Sequence, residues 1–226
     1  MTPVVLAVTG LAKEARIAAG PGILPLAGGG LRTGLERRLA AVDPSALRAV
    51  VSFGIAGALE PGLRLGDVVL ATAIVDGNRR YPASPEFRKL WAERLGGEAI
   101  AVAECAIAGV DEPVLAPDAK AALRARSGAG AVDMESHLAA DFAARHGLPF
   151  GAVRVVSDRA DRVLPPAAGI AMRPDGSVDV LGVMRSVARD PGQIPALAAT
   201  ARDAAVAFRA LRRVRGLLGD LLGLEL

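Results

Sequence analysis

The sequence predicts an α/β fold: a single domain with a central, mixed and largely parallel sheet that is flanked by helices. Short apolar runs alternate with segments of helical periodicity, which is the order of elements typical of α/β proteins. Apolar residues make up 52% of the chain and charged residues 23%, enough for a buried sheet. The 226 residues fit one core. We therefore expect one domain over 1–226, with 201–226 as its C-terminal helix and tail.

The predicted strands are continuous apolar runs bounded by Gly, Asp or Pro, as in buried strands of parallel sheets. They lie at 3–8, 22–26, 49–53, 67–73, 99–102 and 151–156. The predicted helices lie at 31–41, 85–95, 117–126, 136–146 and from about Ala196 onwards. The helix at 136–146 is the best delimited, because Ser136 can cap its start and Gly147 can end it. Residues 164–179, rich in proline and glycine, are expected to form a long loop over a site.

Cysteine content, charge and hydropathy exclude several classes of protein. Cys105 is the only cysteine, and no His or Cys cluster has metal-ligand spacing, so we expect a reducing compartment and no metal. The N-terminal residues lack a basic region, and polar residues or glycines interrupt every apolar run, so we expect neither a signal peptide nor a membrane span. A net charge of +3 with 3% aromatic residues predicts no nucleic-acid partner. These features indicate a cytoplasmic enzyme.

Three glycine-rich or acidic segments follow predicted strands, the position at which open α/β sheets bind ligands. They are 52–69, 131–136 and 155–158. Small residues in the first let backbone amides approach a substrate closely. Glu135 starts a helix whose dipole favours the charged carboxylate, so we expect it to accept hydrogen bonds from a pair of hydroxyls. Each segment also has a purely structural alternative. Residues 52–69 could be a tight connection after a strand, Asp133 or Glu135 could simply cap the helix, and Ser157-Asp158 could only mark a turn.

Together these segments resemble the nucleoside phosphorylase and nucleosidase superfamily, particularly its methylthioadenosine and S-adenosylhomocysteine nucleosidase branch. The resemblance rests, in chain order, on GIAG (54–57), LGDVV (65–69), VDMES (132–136), PF (149–150) and RVVSD (154–158). A narrower resemblance to the hopanoid-associated phosphorylase group rests on VTGL (8–11), EARI (14–17), GGG (28–30), DMESH (133–137) and LPPAA (164–168). That group implies removal of adenine from adenosylhopane, which gives ribosylhopane in hopanoid biosynthesis.

The resemblance implies a role for each matching residue. Asp158 protonates or hydrogen-bonds purine N7 and must carry a proton when it donates, while Ser157 orients it. Glu135 holds the ribose 2′ and 3′ hydroxyls, and Met134 packs on the sugar. The remaining residues form the purine pocket: Ala56, Gly57, Val114 and Leu115. Because the aromatic residue that often covers the base in this family is absent, we expect a wide, aliphatic pocket.

The sequence leaves two alternatives open for the nucleophile, water or inorganic phosphate. In hydrolysis Glu14 would activate water, although its spacing from Gly10 is one residue shorter than in the nucleosidases. Phosphorolysis would use inorganic phosphate as co-substrate, and no other cofactor is expected. The phosphate site would combine amides of the 28–30 turn, such as Gly29 and Gly30, with charge from Arg32, Arg79 or Arg154. This turn departs from the Gly-Asp-Pro and arginine loop of the phosphorylases, so hydrolysis is slightly favoured.

Partners and competing functions complete the expectations. The resemblance implies a homodimer or higher homo-oligomer and a small-molecule or lipid-linked purine nucleoside as substrate. Arginines at 202–215 adjoin an apolar tail at 217–224, which predicts either packing on the core or peripheral membrane contact. The alternative functions are a housekeeping methylthioadenosine/S-adenosylhomocysteine nucleosidase, a purine nucleoside phosphorylase and a non-catalytic nucleoside-binding protein. His137 and His146 are expected on a helix surface.

Overall fold

A mixed eight-stranded sheet is the centre of the part of the chain that the computed structural model describes, residues 4–29, 32–97, 100–169, 176–177 and 179–224. Its strands are β1 (Val4–Thr9), β2 (Ile23–Ala27), β3 (Leu47–Ala58), β4 (Val68–Asp76), β5 (Arg79–Pro82), β6 (Val102–Gly109), β7 (Ala131–Asp133) and β8 (Phe150–Asp158). Helices on both faces complete the α/β architecture that the sequence predicts, so the fold class is confirmed.

The strands form a closed ring with extensions. β3 pairs with β8, β8 with β4, β4 with β6, β6 with β7, and β7 with β3. β1 and β2 continue the sheet outward from β3, and β5 continues it from β4. Five of these eight pairings are parallel. A register shift after Ala56 sets Gly57 opposite Asp158, at the end of β8.

The helices of the described residues are α1 (Ala12–Ala18), α2 (Arg32–Ala40), α3 (Pro85–Gly96), α4 (Pro117–Ser127), α5 (Ser136–Arg145), α6 (Pro166–Gly169), α7 (Val180–Arg189) and α8 (Ile194–Leu218). The five predicted helices are confirmed with small differences at their ends. α1, α6 and α7 were not predicted. Part of the predicted loop at 164–179 is α6, while 170–175 and 178 lie outside the described residues.

The predicted strand at 99–102 is wrong at Ile100 and Ala101, because the strand starts at Val102 and runs to Gly109, while Ala99 lies outside the described residues. Glu104 interrupts the apolar pattern there, and its carboxylate reaches solvent beside Arg88, 3.1 Å away. An apolar run therefore marks only those strands that are buried along their whole length.

The C-terminal tail packs on the domain. Leu218 and Leu222 are fully buried and Leu224 is 2% exposed. The indole Nε1 of Trp91 in α3 donates a hydrogen bond of 2.7 Å to the Leu222 carbonyl. These contacts support the packing alternative for the tail over membrane contact, since Leu218, Leu222 and Leu224 are already shielded from solvent. Among the described helices, none is both long and apolar enough to cross a bilayer.

Candidate functional site

A cavity of about 160 Å³ lies at the carboxyl ends of β1, β6, β7 and β8, beside residues 55–57 of β3. Strand ends expose backbone groups and loops at one edge of the sheet, so ligand sites of α/β proteins form there. Most of the predicted site residues line this cavity: Glu14, Ala56, Gly57, Val114, Met134, Glu135, Ser157 and Asp158. Residues more than 140 positions apart in sequence are thus brought to one site.

Glu14 is held at the floor of the cavity by backbone donors. It lies in the first turn of α1 and is 1% exposed. Its Oε2 accepts hydrogen bonds from the amides of Gly10 at 2.8 Å and Leu11 at 2.7 Å, and its Oε1 accepts one from Ile55 at 2.8 Å. Burial raises the pKa of Glu14, while the charge of Arg154 and these donors oppose the rise. A fixed carboxylate with a raised pKa suits a general base.

Gly54 shows how closely the chain approaches this carboxylate. A Cβ atom at position 54 would lie 2.6 Å from Nη1 of Arg154 and 2.7 Å from Oε1 of Glu14. Both side chains cross over the backbone of β3 at this point, and only glycine leaves them room. The small residues of the 52–57 segment therefore admit buried charged groups, in addition to any substrate.

Arg154 is the buried cation beneath the site. Its side chain is fully buried, with Nε 2.7 Å from Asp133 Oδ2 and Nη2 3.4 Å from Glu135 Oε2. Asp133 also accepts a hydrogen bond of 2.9 Å from the Ser136 amide, so it caps α5 in place of Ser136, which was predicted as the cap. Glu135 makes no side-chain cap, and its carboxyl is left to the cavity.

The expected charge state of Glu135 needs correction. Burial raises the pKa of Glu135 to about 8, the charge of Arg154 opposes this rise, and the neighbouring carboxylates Asp133 and Glu14 add to it. The helix dipole, on which the sequence argument relied, recovers less free energy than full desolvation costs. Glu135 therefore carries a proton at neutral pH in much of the population, and it can donate as well as accept hydrogen bonds.

Asp158 ends β8 at the opposite wall, with both carboxylate oxygens engaged. Ser157 Oγ lies 2.9 Å from Asp158 Oδ1 and 3.1 Å from the Ala56 carbonyl oxygen, so its single proton has these two acceptors. Oδ2 accepts a hydrogen bond from the ammonium of Lys120 in α4, a residue that the sequence analysis did not select. A Cβ atom at Gly57 would lie 3.0 Å from Oδ2, so glycine is needed opposite the carboxylate.

The remaining wall is aliphatic. Val110, Pro113, Val114 and Leu164 line the cavity, and none of its described lining residues is aromatic, in agreement with the expected aliphatic pocket. Leu115 is not among the described lining residues, so its contact with the base stays a prediction. Its side chain lies beside α6, where a Cβ atom added at Gly169 would be 3.4 Å from Leu115 Cδ1, and its carbonyl accepts a hydrogen bond of 2.9 Å from the Leu164 amide.

The described part of the predicted phosphate site is engaged in other contacts. The amide of Gly28 donates to the Thr9 carbonyl at 2.6 Å and that of Gly29 to the Gly10 carbonyl at 2.9 Å, so neither is free for an anion. Arg32 binds Glu36 and Asp111 at the surface. Gly30 lies outside the described residues.

The other two candidate arginines do not supply an anion site either. Arg79 pairs with Asp141 at the sheet edge, 3.6 Å away, and Arg154 is occupied by Asp133 and Glu135. Within the described ranges, no group of three or more His, Cys, Asp or Glu side chains is arranged to hold a metal ion.

One histidine assignment is also wrong. His137 is 1% exposed, and its Nε2 lies 3.1 Å from Asp111 Oδ1. The start of α5 packs under Gly109, where an added Cβ would lie 2.3 Å from that of His137. His146 is exposed, as expected. Neither histidine is among the described lining residues of the cavity.

Two contacts at the site could not be located by motif. Lys120 lies three residues before the buried Leu123, on the core-facing side of α4. A lysine on an apolar helix face is a weak signal, and only the fold shows that its partner is Asp158. The amide of Ile55 is likewise visible as a donor to Glu14 only once β1 and β3 are paired.

Solved structures with the same fold are nucleosidases and a related hydrolase. A 5′-methylthioadenosine/S-adenosylhomocysteine nucleosidase from Helicobacter pylori superposes with a TM-score of 0.65 at 16% identity, covering 97% of this chain and 99% of that one. The corresponding nucleosidase from Campylobacter jejuni gives 0.64 at 15% identity, covering 93% and 99%. Futalosine hydrolase of Helicobacter pylori gives 0.59 at 18% identity, covering 70% and 88%. At these identities the likeness concerns the fold.

The comparison with curated protein sequences gives no match. A family model does match, over residues 36–200, which include Glu135, Ser157 and Asp158. This match supports the expected class of enzyme, a nucleosidase or nucleoside phosphorylase that cleaves N-glycosidic bonds. By its sequence over these residues and by its fold, the chain belongs to the Phosphorylase superfamily.

Proposed function

We propose that the protein hydrolyses the N-ribosidic bond of a purine nucleoside. One observation carries the proposal: Glu14, Glu135 and Asp158, which come from three separate elements, line a single cavity. Cleavage of this bond requires a base for water, a grip on the ribose and an acid for the departing purine. The cavity contains a carboxyl group for each of these tasks.

Glu14 is the general base. Its carboxylate is held by three backbone amides and has a raised pKa, so it can take a proton from water as C1′ of the ribose gains positive charge. The negative charge of Glu14 also stabilises that oxocarbenium-like centre. The spacing from Gly10, one residue shorter than in the nucleosidases, does not keep the carboxylate out of the cavity.

Glu135 and Met134 hold the ribose, and Asp158 with Ser157 assists the purine. Protonated in part, Glu135 can donate to one hydroxyl of the diol and accept from the other. Asp158 transfers a proton toward N7, which makes the purine a better leaving group and contributes about 10²- to 10⁴-fold in rate. Ala56, Gly57 and Val114 lie against the base.

Hydrolysis is preferred over phosphorolysis for an electrostatic reason. Glu14, Asp133, Glu135 and Asp158 all line the cavity, and Arg154 behind it is already paired with Asp133 and Glu135. A phosphate dianion would have to enter beside these acidic groups, and none of the described lining residues is a cation that could receive it. Water carries no charge and meets no such barrier.

The substrate class is proposed from the narrower resemblance: adenine leaves adenosylhopane, and ribosylhopane remains. The aliphatic wall of Val110, Val114 and Leu164 is compatible with a hydrocarbon 5′ extension. The second candidate substrate is methylthioadenosine or S-adenosylhomocysteine, the two compounds that appear in the names of the nucleosidases with the same fold.

One experiment tests both the reaction and the substrate. Purified protein is incubated with adenosylhopane in detergent, methylthioadenosine or inosine, each with and without inorganic phosphate, and the free purine and the sugar product are measured. We expect adenine release that is independent of phosphate and a free reducing sugar rather than a sugar 1-phosphate. Binding of the nucleosides without any purine release would indicate a binding protein, and phosphate-dependent release would reject hydrolysis.

A homodimer or higher homo-oligomer is proposed together with this function. The resemblance implies such an assembly, and α7 exposes three large apolar side chains, Val180, Leu181 and Met184, each more than half exposed. Exposed apolar groups at neighbouring positions of one helix are typical of a subunit interface. Light scattering at micromolar concentration tests this proposal, and a monomeric mass would reject it.

A further inference from the structure

Lys120 and Asp158 form a buried ion pair behind the wall of the cavity. The Lys120 side chain is 1% exposed and that of Asp158 11%. The Lys120 ammonium donates to Asp158 Oδ2 and, at 2.8 Å, to the carbonyl of Arg159. Asp158 lines the cavity and Lys120 does not, so any effect of Lys120 on a ligand passes through Asp158.

A buried ion pair of this kind adds little to the free energy of unfolding. Two charges lose their hydration on burial, and packed apolar side chains of the same volume stabilise a fold equally well or better. The remainder of the described core around α4 is apolar: Leu59, Ala106, Ala108, Leu123, Ala129 and Val132. A buried charge retained in such surroundings, in contact with a residue of the site, indicates a functional role.

The pair also changes what Asp158 can do on its own. One carboxylate oxygen lies within hydrogen-bond distance of Ser157 Oγ, and the other accepts a hydrogen bond from the Lys120 ammonium. An oxygen that already accepts a proton-bearing donor offers no proton of its own to a purine. The acid of the proposed reaction therefore needs a second proton carrier in contact with this carboxylate.

We propose that Lys120 is a positioning residue that supplies the proton Asp158 transfers to the purine. The inference rests on the proposed function. As the C1′–N9 bond breaks, its electron pair moves into the purine and N7 becomes more basic. The Lys120 ammonium gives one proton to the carboxylate, and the carboxyl group gives one proton to N7. Lys120 is left as a neutral amine, and it takes a proton from solvent after the purine has left.

Other charged groups around the pair have partners of their own. On the loop after β8, Arg159 pairs with Asp161, and on α4, Arg124 pairs with Glu60 of the loop after β3. Asp118, in the first turn of α4, is exposed.

Across the cavity, Arg154 is held by Asp133 and Glu135, and Glu14 by backbone amides. The described surroundings therefore leave Lys120 as the cation in contact with Asp158, and a pH effect of its removal can be assigned to the pair.

The experiment compares three variants over pH 5 to 10. Lys120→Met removes the charge, Lys120→Arg keeps it on a guanidinium that does not release its proton, and Arg126→Met removes an exposed charge from the same helix as a control. Each is assayed with the preferred purine nucleoside and with 4-nitrophenyl ribofuranoside, whose nitrophenolate leaves without protonation. Circular dichroism and thermal unfolding report folding.

We expect Lys120→Met and Lys120→Arg to lower kcat for the purine nucleoside by about 10²- to 10⁴-fold at pH 7.5. Their kcat for the nitrophenyl substrate should fall much less, because nitrophenolate leaves without a proton. The kcat of Lys120→Met relative to that of the wild-type protein should rise toward acidic pH, where solvent can supply the proton that Lys120 no longer gives. Should Lys120→Met not fold, Lys120→Gln replaces it with the same expectation. Arg126→Met should behave like the wild-type protein.

Two results would overturn the inference. Near wild-type activity of Lys120→Arg would show that Lys120 contributes charge alone. Equal losses on both substrates with an unchanged pH profile would show a structural role. Absence of purine release by the wild-type protein would instead reject the proposed function, so the two failures are distinguishable.

Discussion

Replacing Glu135 with glutamine should make the protein more stable at alkaline pH. Burial raises the pKa of Glu135 from 4.5 to about 8, so the folded state binds a proton that the unfolded chain releases. The associated stability is present below pH 4.5 and is lost as the pH rises to about 8. At ~1.4 kcal/mol per pH unit, the full effect is on the order of 5 kcal/mol. Glutamine has the same shape and does not ionise.

Thermal unfolding at pH 5, 7 and 9 measures this effect. The melting temperature of Glu135→Gln relative to the wild-type protein should rise with pH, by roughly 10 °C between the extremes, since 1 kcal/mol corresponds to about 2–4 °C at this size. Glu93→Gln, at an exposed glutamate of α3, is the matched control and should show no such trend. A difference that does not change with pH, or a Glu135→Gln protein less stable at pH 9, would refute the assigned charge state.

Four further substitutions test the site and the core. Glu14→Gln should lower kcat for purine release by about 10²- to 10⁴-fold with little change in KM, and a smaller loss would reject its role as base. Asp158→Asn should lower kcat far more than affinity, measured by initial rates and by substrate binding; a near wild-type rate would reject it as the acid. Gly54→Ala should destabilise the fold by about 1–3 kcal/mol in denaturant unfolding, because its Cβ meets two buried charged side chains. Leu222→Ala should cost about 2–5 kcal/mol, whereas Val163→Ala, at a position that is 62% exposed, should cost little.

Most of the architecture follows from local patterns. Buried strands such as β1 and the centre of β3 are continuous apolar runs, and α5 ends where Gly147 and Pro149 stop a helix. Short elements cannot be predicted from local patterns. β7 has only three residues and is a strand because β3 and β6 lie on either side of it. Its hydrogen-bonding partners lie far away in sequence, so no local window contains the signal.

Strand ends predicted which residues meet at the site. Glu135 follows β7, and Ser157 and Asp158 end β8, so the sequence predicted that they share one edge of the sheet, and all three line the cavity. A motif does not state which backbone groups remain free. From the sequence, the amides of Gly28 and Gly29 are available donors. Only the structure shows that both already donate hydrogen bonds to carbonyl groups at the end of β1.

Charge states were decided by the tertiary structure alone. The sequence determines that Glu135 begins a helix, but its proton depends on complete burial beside Arg154 and two further carboxylates. In the same way, the sequence shows only that Lys120 lies on a predicted helix. The structure shows that its ammonium group donates a hydrogen bond to Asp158. Desolvation and Coulomb interactions depend on distance in space and on the exclusion of water, and neither quantity is encoded in the spacing of residues along the chain.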